Sequence, residues 1–321
     1  MSFADVSQVS LEDMAAPPGM SRTLRRLLRR PVALAAIVVI VIVYGVGILA
    51  PWIAPYGFSK TDFENRFSGP TSEHLLGSDR LGRDVLSRLI WSARTTVIIS
   101  GATLLTGGLA LGVTLGLTAG YYGGKLDSLI MRAGDTFNSV PTILLLFIIN
   151  ATLRERFTDL FRDVEDSTGI NGIVSSGFPN YLLVFGSLSI FAWVGIARLV
   201  RSQVLSLREA AYVDAARAMG ASTPRILFRH LLPNISNLLI VALTLSLGAT
   251  AAAEVSLSFL GIGVQLPHAS FGIMVSDYAG ISNLRTHFML MFYPLVCIMA
   301  IVLAFNLLGD ALTDVLSPRR R

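Results

Sequence analysis

Stretches of about 20 apolar residues recur along this chain, and they constrain its fold more than any other feature. A helix needs about 20 apolar residues to cross the hydrocarbon core of a bilayer. Composition points the same way, because the 321 residues are 53% hydrophobic and only 15% charged, whereas soluble domains carry about a quarter charged residues. These observations exclude an ordinary soluble domain and predict an all-α membrane protein.

Six stretches reach or approach the length that a membrane-spanning helix requires. They are residues 32–50, 95–119, 129–151, 181–197, 235–260 and 288–308. An even number of spans places both termini on the same side of the membrane. The segment 82–94, which precedes the second span, is moderately amphipathic, and we expect it to lie along the outer membrane interface.

The distribution of lysine and arginine predicts the side of the membrane on which each loop lies. Basic residues concentrate before the first span, after the second, after the fourth and at the C-terminus, whereas the other loops are balanced or acidic. We therefore expect both termini and the segment 201–234 to be cytoplasmic. The net charge of +5 fits loops beside anionic lipid and is weak evidence for nucleic acid binding.

The polar segment between the fourth and fifth spans contains two helix breaks. Residues 208–219 are rich in strong helix formers, and Gly220 suits the end of a helix. Ser222 or Thr223 can cap a second helix that has Pro224 in its first turn. The sequence therefore predicts a short, stiff helix–turn–helix.

Pro233 is expected to end the second of these helices before the fifth span begins. Small residues dominate the turn, which we expect to be exposed: Ala215, Ala216, Ala218, Gly220 and Ala221. Small side chains allow a partner to approach the backbone, and the flanking arginines can bind the carboxylates of a partner. An amphipathic helix at the membrane interface is the alternative on spacing alone.

The same segment resembles the EAA loop of ABC-importer permeases. That pattern has Glu-Ala-Ala, three residues, Gly, nine residues, Ile, one residue and Leu-Pro. The residues that fit this spacing are Asp214, Ala215, Ala216, Gly220, Leu232 and Pro233. Asp214 stands for Glu and His230 stands for Ile, and both departures agree with the peptide branch of the family.

Three further stretches resemble the same branch, the dipeptide/oligopeptide/nickel permeases. They are HLLGSDRLGRDVLSRLIWSAR (74–94), GLTAGYYGGKLD (116–127) and FNLLGDALTDVLSPR (305–319). The matches occur in the family's order. The resemblance implies the C-type subunit, with six transmembrane helices, a type I ABC-importer (MetI-like) permease core, cytoplasmic termini and a multi-pass location in the cytoplasmic membrane.

The resemblance also implies partners. These are a second, B-type permease, two ATPase subunits or domains that bind ATP and Mg, and an extracytoplasmic substrate-binding protein. The segment 214–222 would dock on an ATPase subunit as a coupling helix. The coupling residues so implied are Asp214, Ala215, Ala216, Arg217, Gly220, Ala221, Ser222, Leu232 and Pro233.

We expect no catalytic residue, cofactor or metal site in this chain. The nearest candidate for a phosphate-binding loop ends at Gly124-Lys125-Leu126, but it has Ala119 and Leu126 where the motif needs Gly and Ser or Thr. ATP hydrolysis would therefore be carried out by partner subunits. The four histidines are too scattered to suggest a metal site.

The predicted organisation has four parts. Residues 1–31 form a cytoplasmic tail whose first 20 residues are of undetermined order. Residues 32–94 hold the first transmembrane helix and an outer segment. Residues 95–310 form the permease core with five transmembrane helices and the coupling loop 201–234, and residues 311–321 form a cytoplasmic tail.

Four glycines in the second span recur every fourth residue and are expected to line one helix face: Gly108, Gly112, Gly116 and Gly120. Small residues allow helix backbones to approach closely in lipid. Tight packing is the favoured interpretation, and a sliding surface between moving helices is the alternative.

Ionisable residues within the spans are candidate functional groups. Glu254 is the deepest, and it is either a pathway residue that meets the charged end of a peptide or, as we favour, a structural hydrogen-bonding group. Asp135 is expected to pair with Arg132 or Lys125. The outer loop 154–180 is long and acidic, and its role is open.

These features favour a transport subunit of an ATP-driven importer for di- or oligopeptides. Nickel or another small solute is the alternative within the family. A secondary transporter is the alternative from a different class, but it would predict paired broken helices and several buried acids. A membrane enzyme would need a cluster of catalytic residues, which the sequence does not show.

Overall fold

The computed structural model describes residues 25–316, and within that range it is built from helices without β-strands, apart from one isolated bridge between Ser78 and Asp84. The expectations for most of the N-terminal tail and for residues 317–321 lie outside the described residues.

The described helices fall into long and short ones. The long helices are α1 (Pro31–Ile53), α2 (Val85–Tyr122), α3 (Gly124–Asn138), α4 (Thr142–Thr168), α5 (Phe178–Leu207), α7 (Thr223–Phe259) and α10 (Phe288–Leu316). The short helices are α6 (Ala211–Ala218), α8 (Phe271–Tyr278) and α9 (Ile281–Thr286). Among the described residues, α1, α2, α5, α7 and α10 are long and apolar enough to cross a membrane.

The third predicted span is not one straight helix. α3 and α4 meet at a bend of 82°, with Pro141 at the N-terminal cap of α4. Proline lacks the backbone N–H that a continuing helix would use, so a break at this residue is expected. Taken together, α3 and α4 make a sixth candidate span, and taken apart they leave five.

Most of the predicted outer loop 154–180 is helical. α4 continues to Thr168 and ends at Gly169, which has a φ of +71°, and only the short connection 169–177 remains before α5. A drop in hydrophobicity along the sequence indicates where a helix leaves apolar surroundings, but it does not indicate where the helix ends. A polar segment that is rich in good helix formers can continue the same helix. This explains why the sequence reading placed a loop there.

The prediction that 82–94 lies along the interface is wrong, because residues 85–94 are the first turns of the long helix α2. Asp84 caps the helix, with its Oδ2 accepting a hydrogen bond from the Ser87 N–H at 2.7 Å. Ser87 and Arg88 are each only 1% exposed. The polar residues of this segment therefore face other parts of the chain instead of lipid headgroups.

The chain's connections define two ends of the bundle. The arginine-rich end holds residues 25–30, 208–222 and the last turns of α10, and it is closed by an ion pair between Arg30 and Asp314. The loop-rich end holds residues 54–84, 169–177 and 260–287, where Arg80 pairs with Asp277 at 3.3 Å. The first and last described helices thus begin and end on the same side of the bundle.

Candidate functional site

Helix α6 and the turn that follows it hold seven of the nine predicted coupling residues, and the other two, Leu232 and Pro233, lie in α7. α6 begins at Ala211, three residues later than predicted, because α5 runs on to Leu207 and a turn follows. Its end is a Schellman motif. Gly220 has a φ of +78° and donates to the Arg217 carbonyl at 2.9 Å, while the Ala221 N–H donates to the Ala216 carbonyl at 3.0 Å.

The turn leads directly into α7. Ser222 occupies the N-cap position without a side-chain capping bond, and Pro224 lies in the first turn of the helix. Pro233 does not end this helix, contrary to expectation. A π-helical segment, Ile226–Leu231, directly precedes Leu232 and Pro233, and this wider turn changes the hydrogen-bonding register so that the helix continues past the proline.

One side of α6 is anchored in the core. Val213 is fully buried and Ala216 is 2% exposed, and both belong to a cluster with Val204 of α5 and Ile226 of α7. The prediction that Ala216 lies in an exposed turn is therefore wrong. Ala216 is three residues from Val213, and this spacing places both on the same helix face.

The other side of α6 is open. Asp214, Ala215, Arg217 and Ala218 are exposed, and Met219 is the most exposed large apolar residue in the described part of the chain, at 81%. Arg217 pairs with Asp214 at 3.0 Å and donates to the Tyr121 hydroxyl at 3.3 Å. The bond to Tyr121 raises the pKa of Arg217, so its charge is retained.

A cleft of about 300 Å³ lies between α6 and the start of α7. Met219 forms part of one wall, and Arg225, Arg229 and His230 line the opposite side. The two arginines are four residues apart and so share one face of the helix. Their spacing was visible in the sequence, but the cleft depends on the turn at Gly220 and could not be read from it.

Ion pairs connect this end of α5 to α3, and a hydrogen bond from Arg208 connects it to α2. Arg201 makes a two-pronged contact with the Asp127 carboxylate, and Arg208 donates to the Gly120 carbonyl at 3.3 Å. Asp135 pairs with Arg198 at 2.6 Å and not with Arg132 or Lys125 as predicted. Asp135 lies on the face of α3 that packs on α5, whereas the predicted partners were chosen only for their proximity in sequence.

Glycines in α2 allow a close approach of its backbone to α5. A Cβ atom at Gly112, Gly116 or Gly120 would stand 2.7 to 2.8 Å from a Cβ atom of Ile196, Val200 or Val204, respectively, closer than real Cβ atoms approach. Each of these glycines therefore occupies a position that only glycine fits.

The predicted fourth member of this row, Gly108, faces a different neighbour, Leu243 of α7. Gly107 takes its place, since a Cβ there would lie 2.8 Å from the Ser189 backbone of α5. The step from Gly112 to Gly107 is five residues because Leu104–Val113 is π-helical and has a longer repeat. A repeat of four read from the sequence could not show this shift.

Glu254 is fully buried within the chain. Its carboxylate accepts hydrogen bonds from Ser270 at 2.8 Å, from Ser258 at 2.9 Å and from Thr96 at 3.2 Å. The donors come from α2, α7 and the residue before α8. Glu254 thus joins three segments through hydroxyl groups, and this arrangement favours the structural interpretation over exposure to a pathway.

A second polar cluster lies at the loop-rich end, and the sequence analysis did not predict it. Asp79 accepts hydrogen bonds from Arg83 Nε at 2.6 Å and Arg88 Nη1 at 2.8 Å, and all three side chains are at most 4% exposed. Asp277 of α8 completes the cluster at 3.5 Å from Arg83 and 3.6 Å from Arg88. Nearly 200 residues separate Asp277 from the others, so no local pattern could reveal the pairing.

The neighbouring residue Tyr278 ties α8 to the same loop. Its hydroxyl accepts a hydrogen bond from the Arg80 N–H at 3.2 Å, and burial raises the pKa of Tyr278 to about 12. The loop before α2 and the connection between α7 and α10 are therefore held together by buried polar contacts.

Comparison with known proteins agrees with this arrangement. Residues 112–321 match the family described as binding-protein-dependent transport system inner membrane component. Residues 20–70 match the N-terminal transmembrane domain of oligopeptide transport permease C. Together the two matches cover both the first span and the helices that carry α6.

Individual relatives are similar over most of their length. The dipeptide transport system permease protein of Bacillus subtilis is 33% identical over 92% of this chain and 85% of its own. The oligopeptide transport system permease protein of the same organism is 32% identical over 90% and 86%. The glutathione transport system permease protein of Pectobacterium atrosepticum is 35% identical over 92% and 89%. The chain therefore belongs to the family of inner membrane components of binding-protein-dependent transport systems, as a C-type ABC-importer permease that crosses the cell membrane several times.

Proposed function

We propose that this chain is the C-type permease subunit of an ATP-driven importer for di- or oligopeptides and forms half of its translocation pathway. Relatives named for dipeptide, oligopeptide and glutathione transport support a peptide-like solute. Its partners are a second, B-type permease, two ATPase subunits that bind ATP and Mg, and an extracytoplasmic binding protein. The excess of arginine at the arginine-rich end supports a cytoplasmic location for that end.

The observation that carries the proposal is the two-sided environment of α6. Val213 and Ala216 are buried in the core cluster, whereas the opposite face and Met219 are exposed. A partner can therefore contact the exposed face of α6 while the chain stays folded. Because the other face is packed in the core cluster, α6 cannot move independently of the helices beneath it. Docking on an ATPase subunit is the role that this geometry suits.

The contacts of α6 provide a route for a displacement. The core cluster joins α6 to α2, α5 and α7 through packed apolar side chains such as Leu117, Val204 and Leu231. The Schellman motif at Gly220 fixes the turn between α6 and α7. When ATP binding closes the ATPase pair, a push on α6 would move these helices together and change the access of the pathway.

Two alternatives to a peptide importer make different predictions. Nickel or another small solute would use the same helices and the same coupling, because the binding protein selects the solute. A secondary transporter would move its solute without ATP, and it would need acidic ion sites near the membrane midplane. Glu254 is a deep carboxylate of α7, and its three hydroxyl donors already account for its burial.

Purification of the tagged chain from native membranes tests the proposal at the level of the complex. We expect an ATPase pair and a second permease to be purified with it, and ATP-dependent uptake of a peptide after reconstitution with the binding protein. A chain that purifies alone and still transports its solute would contradict the importer and favour the secondary transporter.

Substitution of Met219 tests the coupling role. Met219→Glu places a charge on the exposed tip of the α6 turn, and we expect ATP-driven uptake to fall by at least about tenfold with unchanged protein levels, since burying an unpaired charge in the docked interface costs several kcal/mol. Ser206→Glu is the matched control, because Ser206 is an exposed residue of α5 that lies outside α6 and the turn that follows it. Equal uptake by both variants would contradict docking through α6.

A further inference from the structure

A cavity of about 390 Å³ lies at the loop-rich end between α2, α5 and the loops 54–84 and 260–270. Five aromatic residues contribute to its walls: Phe58, Trp91, Phe178, Tyr181 and Phe185. Cavities that bind small solutes in proteins typically have volumes of about 300–1,000 Å³, apolar walls and a few convergent polar groups. This cavity meets the first two conditions.

Arg94 supplies the charged group of the cavity. It lies one turn after Trp91 on α2, with its guanidinium 5.7 Å from the indole ring. None of the residues that line the cavity is acidic. Among the described residues 25–316, Arg94 makes no ion pair, whereas the buried Arg83 and Arg88 both pair with Asp79. An unpaired guanidinium in an aromatic cavity favours an anionic ligand.

Tyr181 supplies a hydrogen-bond acceptor. The Thr95 hydroxyl donates to the Ala269 carbonyl at 2.7 Å, so its only proton is used there. The contact of 3.1 Å between the two hydroxyls must then be a bond donated by Tyr181 to Thr95. Since Tyr181 is the donor in that bond, its oxygen remains free to accept a hydrogen bond from a group inside the cavity.

His268 provides a neutral polar wall. Its ring lies 5.0 Å from Phe58 and 5.6 Å from Tyr181, measured between ring centroids, and it rests against the backbone of Gly177. Burial lowers the pKa of His268, so the imidazole carries no charge near neutral pH. The cavity therefore presents one positive charge, neutral hydrogen-bonding groups and aromatic surfaces.

We propose that this cavity binds the carboxylate end of a peptide or peptide-like solute, with Arg94 pairing with the carboxylate. The Tyr181 oxygen accepts a hydrogen bond from an N–H of the solute, and the aromatic walls contact its last side chain. The identity of the solute rests on the proposed function. In the topology proposed above, the loop-rich end faces outward, where a solute delivered by a binding protein arrives first.

The test uses the complete transporter in proteoliposomes with its binding protein. Uptake of the dipeptide alanylphenylalanine and of its C-terminal amide is measured for the wild type and for Arg94→Gln. For each form of the permease, uptake of the free acid is divided by uptake of the amide. Comparison of this quotient between the wild type and Arg94→Gln cancels the preference of the binding protein, because both forms meet the same loaded binding protein. Binding-protein-stimulated ATPase activity is measured alongside as a check on assembly.

We expect Arg94→Gln to lower uptake of the free acid about 10- to 100-fold relative to the amide, the range for loss of a hydrogen bond to a charged group. Arg94→Lys should be intermediate, because lysine keeps the charge and loses the planar fork. Arg285→Gln is the matched control, since Arg285 is an exposed arginine of α9 that does not line the cavity. An equal loss for both peptides, or no loss, would overturn the proposal.

A second measurement decides the question even where the amide is not transported. A dipeptide with a C-terminal benzoylphenylalanine is illuminated in the presence of the complex, and the labelled residues are identified by mass spectrometry. We expect labels on residues of the cavity wall that disappear in Arg94→Gln. Labels only on residues outside the cavity wall would overturn the proposal.

These outcomes are separate from failure of the proposed function. A wild-type complex that takes up no peptide at all would contradict the peptide importer itself. A complex that takes up peptides equally well with Gln or Arg at position 94, and that leaves the cavity wall unlabelled, would contradict only the role of the cavity.

Discussion

The guanidinium of Arg88 donates to the carboxylate of Asp79 at 2.8 Å, and only 1% of each side chain is exposed. Asp79 also accepts from Arg83, so a single carboxylate faces two buried cations. Removing one member of such a group leaves an uncompensated buried charge, which costs about 3–5 kcal/mol. The cluster joins the start of α2 to α8 and so holds the loop-rich end in one arrangement.

Asp79→Asn should therefore destabilise the protein markedly. It leaves Arg83 and Arg88 with only Asp277, whose carboxylate lies 3.5 and 3.6 Å away. We expect a loss of about 3–5 kcal/mol in the free energy of unfolding, seen as a lower thermal midpoint of the purified protein. The matched control is Asp159→Asn, which breaks an exposed pair with Arg162 and should cost less than about 1 kcal/mol. Similar midpoints for the two variants would contradict this prediction.

The sequence shows which regions are helical and apolar, but not how polar residues are buried between them. Charges at Arg88 and Arg94 set the predicted start of the second span at residue 95, although α2 begins at Val85. A hydropathy profile scores every arginine as solvent-exposed, whereas the charge of Arg88 is compensated by Asp79 in the protein interior. The partner of a buried charge is determined by the tertiary structure, and a hydropathy profile carries no information about it.

The candidate site was predicted more completely than the loop-rich end, because it depends on local turn chemistry. Glycine at a helix end favours a positive φ, and Gly220 has one. The burial of Ala216 depends instead on how α5 and α7 pack against α6, and the sequence analysis placed this residue on the wrong side. The turn at Gly220 was predictable from local chemistry, whereas the continuation of α7 past Pro233 and the orientation of α6 against its neighbours were not.

Gly116→Ala should disturb the packing of α2 on α5. The added Cβ would stand 2.7 Å from Val200 Cβ and from the Ala197 carbonyl oxygen, and neither atom is the end of a flexible side chain. Overpacking of this kind typically costs about 1–3 kcal/mol. The thermal midpoint of the purified protein is the measurement.

Gly101→Ala is the control for this substitution on the same helix. A Cβ at Gly101 meets nothing within 4 Å, so only the gain in helix propensity remains, up to about 1 kcal/mol in favour of alanine. A destabilisation as large as that of Gly116→Ala would show that close contact with α5 is not the cause.

Gly220→Ala tests whether the turn after α6 depends on a left-handed backbone. Space is not the constraint, because a Cβ at Gly220 meets nothing within 4 Å, but its φ of +78° costs roughly 1–2 kcal/mol for an ordinary L-residue. We expect ATP-driven uptake per reconstituted complex to fall for Gly220→Ala. Gly220→Asn should retain more activity, because asparagine adopts this conformation more readily. Equal uptake with Ala and Asn would exclude strain at this residue as the cause.

His268 should make the stability of the loop-rich end depend on pH. Burial lowers the pKa of His268 in the folded protein below its ordinary value of 6.5, so the unfolded chain takes up a proton at a higher pH than the folded chain does. Its contribution to stability is then fully present above pH 6.5 and is lost as the pH falls through the lowered pKa. The groups around the ring, Phe58, Tyr181 and the Gly177 backbone, include no carboxylate that could retain the proton.

His268→Gln removes this titration and keeps a polar side chain. We expect the thermal midpoint of the wild type to fall relative to that of the variant between about pH 7 and pH 5, by an amount that corresponds to at most about 1.4 kcal/mol per pH unit. Above about pH 7 the difference between the two midpoints should be constant, because the histidine is neutral in both the folded and the unfolded chain. Midpoints that change in parallel over the whole range would mean that His268 takes up its proton equally well in the folded protein.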